Sequence, residues 1–404
     1  MSVDVRPCSS VEEFREALAP IWHFFGGGPS DESAERFARV LPHERMLAAR
    51  IDGAVVGGAG AFPFELTVPG GRVRAGGVTV VGVLPTHRRR GVLRDMMRAQ
   101  LEDLHERGEP VAYLWASEAT IYGRFGYGLA SLGGELEIPR DRGAFAERFQ
   151  AQGAIRLLDA DAALERIPPI YERVARETPG MFARTPEWWD SRALADPEWR
   201  RGGGGEMQRA VLELDGRDAA FGLYRVHTGF EYGSSTGHTR VIEAMGDTPD
   251  ATRELWRYLI DVDWMATVKA SLLPLDHPLM LLLAEPRRAR FTIGDALWVR
   301  LVDVEAALAA RSFYDGDPVV LEVRDAFCPW NEGRWRVGAD DSARTDADPD
   351  LALDVSALGT VYLGGFSFAD VARAARLVES QPGGVERADA LFRTDRAPWC
   401  PEIF

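Results

Sequence analysis

Residues 83–93 read Val83-Leu84-Pro85-Thr86-His87-Arg88-Arg89-Arg90-Gly91-Val92-Leu93. Ahead of them lies an apolar, β-branched run, Val78-Thr79-Val80-Val81-Gly82. Behind them, residues 91–105 place Val92, Met96, Met97 and Leu101 at helical spacing. A strand therefore stops at Pro85, and a turn crowded with arginines and closed by a glycine opens a helix. The first amides of a helix lack partners within it and carry the positive end of its dipole. With Arg88, Arg89 and Arg90 beside them, they make a site for a pyrophosphate. Gly91 lets the backbone approach an anion with no Cβ in the way. Taken alone, the same residues would also serve as a solvated basic turn, so the neighbours decide between the two.

Residues 111–116, Val-Ala-Tyr-Leu-Trp-Ala, have the length and apolarity of a short buried strand. After them comes Ser117-Glu118-Ala119-Thr120-Ile121-Tyr122-Gly123-Arg124-Phe125-Gly126-Tyr127-Gly128. The stretch 78–128 resembles the Gcn5-related N-acetyltransferases (GNAT), and within them the enhanced-intracellular-survival (Eis) branch. The acyl-CoA loop of that superfamily runs Arg or Gln, two residues, Gly, one residue, Gly or Ala. Arg88 and Gly91 fit, while Leu93 stands where a small residue is usual. Ile121-Tyr122 followed by Gly126-Tyr127 has the form of the family's aromatic-Tyr and Gly-aromatic pair. The resemblance extends along the whole chain, strongest in the first 130 or so residues and at the last one.

Composition agrees with a soluble enzyme of several domains. A chain of 404 residues is too long for one core. Its 46% hydrophobic and 27% charged residues are ordinary for globular proteins. A net charge of −15 argues against a nucleic-acid partner and suits a cationic small molecule. Cys8, Cys328 and Cys400 have neither metal-ligand nor disulfide spacing, so no metal is expected and reduced thiols in the cytoplasm are. The chain opens without a signal peptide, and its longest apolar stretch, 272–284, is interrupted by Pro274, Asp276, His277 and Pro278, so no membrane span is expected.

Local patterns and the resemblance together imply α/β architecture with mixed sheets: tandem GNAT folds followed by a sterol-carrier-like α+β domain. Residues 1–145 form the expected catalytic unit. Ser10-Val11-Glu12-Glu13 opens a helix through Leu18, and Asp52-Gly53 joins strands 45–51 and 54–64. A third strand spans 65–68, and a closing strand lies near 134–138. Residues 146–290 repeat the strand–turn–strand pattern at 210–214 and 219–226, with a helix at 251–260 and no Arg-x-x-Gly loop. They read as a degenerate second copy. Residues 291–404 mix strands at 319–323, 333–337 and 351–355 with helices at 304–310, 355–363 and 368–377, and the resemblance makes this domain the one that delivers the C-terminal carboxylate.

The chemistry implied is acetyl transfer from acetyl-CoA to an amine. It needs a cofactor cradle, a polarised carbonyl, a base for the ammonium proton and an acid for the departing thiolate. By resemblance, Arg88 through Arg94 (Arg89, Arg90, Gly91, Val92 and Leu93 between them) form the cradle. The strand end Val81-Gly82-Val83 holds the pantetheine, and Ser117 and Glu118 also touch the cofactor. Tyr122 is the expected acid, since a phenol of pKa about 10 stays protonated at neutral pH. No histidine or glutamate marks itself as base. The chain instead ends Pro398-Trp399-Cys400-Pro401-Glu402-Ile403-Phe404, stiffened by prolines and tipped with apolar side chains, where most termini are polar and frayed. In the family the carboxylate of the terminal phenylalanine serves as base, a role this assigns to Phe404. An acceptor pocket of aromatic and acidic groups would draw on Trp22, Phe24, Phe25, Asp31, Glu32, Phe37, Trp188, Trp189 and Glu402. The family acts on aminoglycoside-type polyamines and assembles as hexamers. Two other readings stay open: a lipid or sterol carrier with a vestigial acetyltransferase domain, and a protein-lysine acetyltransferase.

Overall fold

The computed structural model describes residues 3–27 and 31–404, with the side chains of Phe25 and residues 31–33 left out. It divides into two compact units, residues 1–131, 296–398 and 403–404 in one, residues 132–295 and 399–402 in the other.

The first unit begins with β1 (Asp4–Pro7), α1 (Val11–Trp22), α2 (Asp31–Ala38), β2 (Met46–Ile51), β3 (Ala54–Val68) and β4 (Gly71–Val83). There follow α3 (Val92–Glu106), β5 (Val111–Trp115), α4 (Ala119–Tyr122) and β6 (Gly128–Leu129). Ser10 caps α1 through its side chain, as the capping pattern predicts. β3 is one fifteen-residue strand rather than the two expected at 54–64 and 65–68, and it runs through Pro63. β2 pairs with it only as far as Gly60, so the amide missing at Pro63 interrupts no bond on that edge. Gly58 lets α1 press onto β3, since a Cβ there would lie 1.9 Å from the Ala17 carbonyl oxygen.

The second unit holds β7 (Leu132–Pro139), β8 (Ala154–Leu157), α5 (Ala160–Glu177), α6 (Pro186–Trp188), β9 (Gln208–Leu214) and β10 (Arg217–His227). It continues with the ribbon β11 (Phe230–Glu231) and β12 (Ser234–Ser235), then β13 (His238–Gly246), α7 (Pro249–Ile260), β14 (Thr267–Leu273), α8 (Leu279–Leu282) and β15 (Thr292–Asp295). Back in the first unit come β16 (Leu297–Leu301), α9 (Val304–Ala309), β17 (Val319–Arg324), β18 (Gly333–Val337) and β19 (Ser342–Arg344). β20 (Leu351–Asp354), α10 (Val355–Tyr362), α11 (Phe368–Arg373), β21 (Leu377–Glu379) and α12 (Gly384–Phe392) complete it. The helix expected over 368–377 stops early because Ala375 turns left-handed, with φ of 55°.

Two seven-stranded sheets run β1-β2-β3-β4-β5-β16-β6 and β15-β7-β14-β13-β10-β9-β8. Read from β1 and from β8, they share one plan. Four strands of mostly antiparallel pairing lead to a helix, α3 or α7, and then to a strand parallel to the fourth, β5 or β14. The sixth position of each sheet is filled by the strand that follows the other copy: β16 in the first, β7 in the second. The strand expected near 134–138 to close the first unit therefore joins the second sheet, between β14 and β15. Its alternation of buried and exposed residues suits either sheet, and the partner is chosen by contacts far along the chain. A five-stranded sheet, β19-β18-β17-β20-β21, organises the C-terminal region. Among the described residues no helix is long and apolar enough to cross a membrane.

Candidate active site

A bulge creates the opening on which the site depends. Between the pairs Gly58↔Gly82 and Gly60↔Thr79, β4 has one residue more than β3. Val80 lies in that interval with φ of 47°, a conformation a β-branched residue holds only when its surroundings impose it. A bulge bends and twists its strand. The parallel pairing of β4 with β5 accordingly ends at Gly77↔Tyr113, although β4 runs on to Val83 and β5 to Trp115. Gln100, buried on α3, braces the bulge by donating Nε2 to the Gly60 carbonyl at 3.1 Å.

The parted strands open into a cleft of about 950 Å³. Val81, Gly82 and Val83 form one wall, Arg88, Arg89, Gly91, Val92, Leu93 and Arg94 a second, and Ser117, Glu118 and Tyr122 a third. Arg90 is exposed and is not among the lining residues. Leu93, the departure from the loop pattern, is half-buried and lines the cleft with its apolar side chain. Gly91 caps α3 with φ of 86° and, having no side chain, makes no cap hydrogen bond to the first turn. That helix start is available to an anion, with exposed Arg88, Arg89 and Arg94 around it. The second copy closes its counterpart: Thr248 caps α7 with its own hydroxyl, Pro249 follows, and Asp247 beside it is bound by Arg173 and Arg217. An acid and a satisfied cap leave nothing there for a phosphate.

Tyr122 ends α4 with its ring 6% exposed, set edge-on to Tyr127 at 5.8 Å between centroids. Among the described residues its hydroxyl has no hydrogen-bond partner in the protein. Burial, and after it the charge of Glu118, push the phenol up to about 12.

Phe404 does not line this cleft. Its ring is 8% exposed and packs edge-on against Phe64 at 5.2 Å, Tyr113 at 4.9 Å and Phe62 at 6.4 Å. Strand alternation locates it further. A Cβ on Gly76 would meet Leu104 of α3, whereas one on Gly77 would meet Phe64 and, at 3.3 Å, Phe404. On β5, Ala112 and Leu114 share a core with Leu101 and Leu104 of α3, and Tyr113 points the other way. Phe404 thus sits on the sheet face opposite α3, beside the last β4–β5 pair.

The acceptor candidates scatter. Phe37 joins the aromatic row Phe37–Phe62–Phe404, with 5.5 Å between its first two rings. Half-exposed Phe24 lines the cleft itself, and Trp22 is half-buried. The side chains of Phe25, Asp31 and Glu32 lie outside the described residues. In the second unit, Trp189 is core, in edge contact with Tyr171. Trp188 donates Nε1 to Glu402 at 2.8 Å, and Arg184 and Arg192 neutralise that carboxylate at 3.0 and 3.6 Å. Glu402 is therefore engaged within its own unit rather than held out to a cation. The sequence reading missed Ala326 and Phe327, which line the cleft from the loop after β17. Only the aromatic pair Phe327 and Trp330 around Cys328-Pro329 could have drawn attention to that loop.

Comparison with known proteins agrees with this geometry. Residues 5–130 and 180–301 each match a family model described as an acetyltransferase (GNAT) domain, and residues 304–401 match a sterol carrier protein domain. The chain is 40% identical to an uncharacterized N-acetyltransferase of Streptomyces avermitilis over 388 residues, 94% of each chain. It is 36% identical to the N-acetyltransferase Eis of Mycobacterium tuberculosis over 411 residues, 96% of each. The crystal structure of Eis1 from Mycobacterium abscessus superposes with a TM-score of 0.88 at 39% identity, covering 99% of this chain and 100% of that one.

Proposed function

The chain belongs to the Eis family of GNAT N-acetyltransferases, and from that membership we propose that it acetylates amine groups of cationic small molecules, aminoglycosides among them, by direct transfer in a ternary complex. Its activity is N-acetyl transfer, and the GNAT fold implies acetyl-CoA as donor. The cleft fits that donor: an uncapped helix start among arginines suits its pyrophosphate, and the strand gap suits its narrow arm.

Bound acetyl-CoA supplies a thioester and a thiolate leaving group. Arg88, Arg89 and Arg94, with the first amides of α3, hold the pyrophosphate, and Ser117 and Glu118 bound the opposite side. The backbone of Val81 and Val83 orients the arm and polarises the carbonyl. Tyr122 keeps a proton on Oη for the departing sulfur, and the Phe404 carboxylate accepts the proton of the attacking amine. The seat of the Phe404 ring supports this role, because it lies at the mouth of the strand gap on the face opposite α3, leaving the α3 face to the cofactor. The net charge of −15 favours a polycationic acceptor. A cytoplasmic homohexamer completes the proposal, taken from the family.

The observation that carries the reading is the pairing of an uncapped α3 start with Tyr122 across one cleft. The test is steady-state acetylation of a kanamycin-type aminoglycoside and of a lysine peptide by the full chain and by a chain extended a few residues past Phe404. Aminoglycoside turnover that collapses in the extended protein is expected. Turnover of the peptide alone would overturn the acceptor class, and full activity in the extended chain would overturn the base.

A further inference from the structure

The loop between β17 and β18 comes from the sterol-carrier-like region, yet Ala326 and Phe327 line the acyl-CoA cleft. It is held firmly. Asp325, 1% exposed, accepts from the Arg300 guanidinium at 2.6 Å and from Asn331 Nδ2 at 2.9 Å. Its other oxygen accepts the amides of Phe327 at 3.2 Å and Cys328 at 2.9 Å. Arg300 is fully buried on β16, the strand inserted between β5 and β6. A buried ion pair is a costly way to gain stability, but it fixes geometry well when every lone pair is used. Here it fixes the loop to the catalytic sheet. Phe327 then lies edge-on to Phe125 at 5.2 Å, with the Arg98 guanidinium 4.5 Å from its ring centre, in one apolar cluster with Tyr122, Leu93 and Ile121.

We propose that this loop is a wall of the acyl-CoA site, with Ala326 and Phe327 contacting the pantetheine arm of the cofactor. The inference rests on the reading that the cleft takes acetyl-CoA. The arm is favoured over the nucleotide because Phe327, Phe125, Leu93 and Ile121 offer apolar surface, and the two guanidiniums beside them, Arg98 over Phe327 and Arg124 over Phe125, already donate to the carbonyls of Phe327 and Ile121, while the exposed arginines stand at the start of α3. The sterol-carrier-like region is then a structural part of the donor site.

Calorimetric titration with acetyl-CoA and with adenosine 3′,5′-bisphosphate, which lacks the arm, tests this. Ala326 is exposed, so Ala326→Trp fills the cleft without disturbing a core. It should weaken acetyl-CoA binding by tenfold or more and leave the bisphosphate within about twofold. Phe327→Ala, losing contact over one or two methylene equivalents, should weaken acetyl-CoA by about tenfold. Ala326→Trp protein that binds acetyl-CoA like the wild type overturns the proposal, as does equal weakening of both ligands. Wild-type protein that binds no acetyl-CoA overturns the underlying reading instead.

Discussion

Replacing Tyr122 by Phe removes one oxygen and keeps the ring that packs against Tyr127 at 5.8 Å. The lost hydroxyl has no protein partner among the described residues, so the fold should change by less than about 1 kcal/mol. Catalysis should change far more. Burial and Glu118 raise the phenol to about 12, so the neutral form is favoured and persists to higher pH than for a free tyrosine. At pH 8 only about one molecule in 10⁴ has lost the proton, and the acid is loaded throughout the working range. Loss of a general acid costs about 100- to 1,000-fold in kcat, or roughly 3–4 kcal/mol of transition-state stabilisation. The assay is release of coenzyme A thiol at saturating acceptor, with acetyl-CoA affinity and melting temperature measured in parallel. The expected result is a fall in kcat with affinity and stability held. In the wild type, any alkaline fall in kcat/KM caused by Tyr122 should lie above pH 10, because burial and Glu118 raise the phenol in the free enzyme. A Tyr122→Phe protein with wild-type kcat refutes the reasoning, as does a wild-type limb below pH 10 that vanishes in the variant.

Three further outcomes follow from the same geometry. Asp325→Ala strands the fully buried Arg300 without its counter-charge, and thermal or urea unfolding should report a loss of about 3–5 kcal/mol. Gly91→Ala imposes a Cβ at φ of 86°, costing about 1–2 kcal/mol in the left-handed conformation, and acetyl-CoA titration should show weaker binding than the stability loss alone explains. Burial raises the pKa of Tyr127, Tyr171 and Tyr362, so the folded chain keeps these protons while the unfolded chain releases them above about pH 10. Stability should be insensitive to these groups below pH 10 and fall above it, and urea midpoints between pH 9 and 11 that do not decline would contradict this.

What was legible in the sequence was local. The strand–arginine turn–helix at 78–105 could be read because each step has its own signal: β-branched residues, then Pro85, then Gly91, then apolar residues at helical spacing. The buried face of α3 includes the expected Val92, Met96, Met97 and Leu101, and adds Gln100 and Leu104. Gln100 could not be foreseen, because a polar residue earns burial only through a partner, here the Gly60 carbonyl on another strand. The bulge at Val80 was equally hidden: one valine among several β-branched neighbours gives no sign that it will be forced left-handed. The exchange of β7 and β16 is invisible for the same reason, since an alternating strand pattern names a face but not a partner. Ala326 and Phe327 reach the cleft through the Arg300–Asp325 pair, 25 residues apart and on different elements, a spacing no local motif records.

The site works as an arrangement of two sheet faces, and the consecutive glycines at 76 and 77 explain why it can. A strand inside a layered fold usually places large side chains alternately up and down. Here both faces are already occupied by parts that must come close: Leu104 of α3 on one side, Phe64 and Phe404 on the other. A Cβ would stand 2.7 Å from Leu104 at Gly76 and 2.4 Å from Phe64 at Gly77, too near for either to stay. The missing side chains let α3 pack close beneath the strand, and they let the Phe404 ring settle above it. Directly beyond these two residues β4 bulges and leaves β5. The point of closest approach is therefore also the point where the sheet opens. In the proposed mechanism a donor held on the α3 face and the Phe404 carboxylate on the opposite face would meet through that gap, with Tyr122 at its rim.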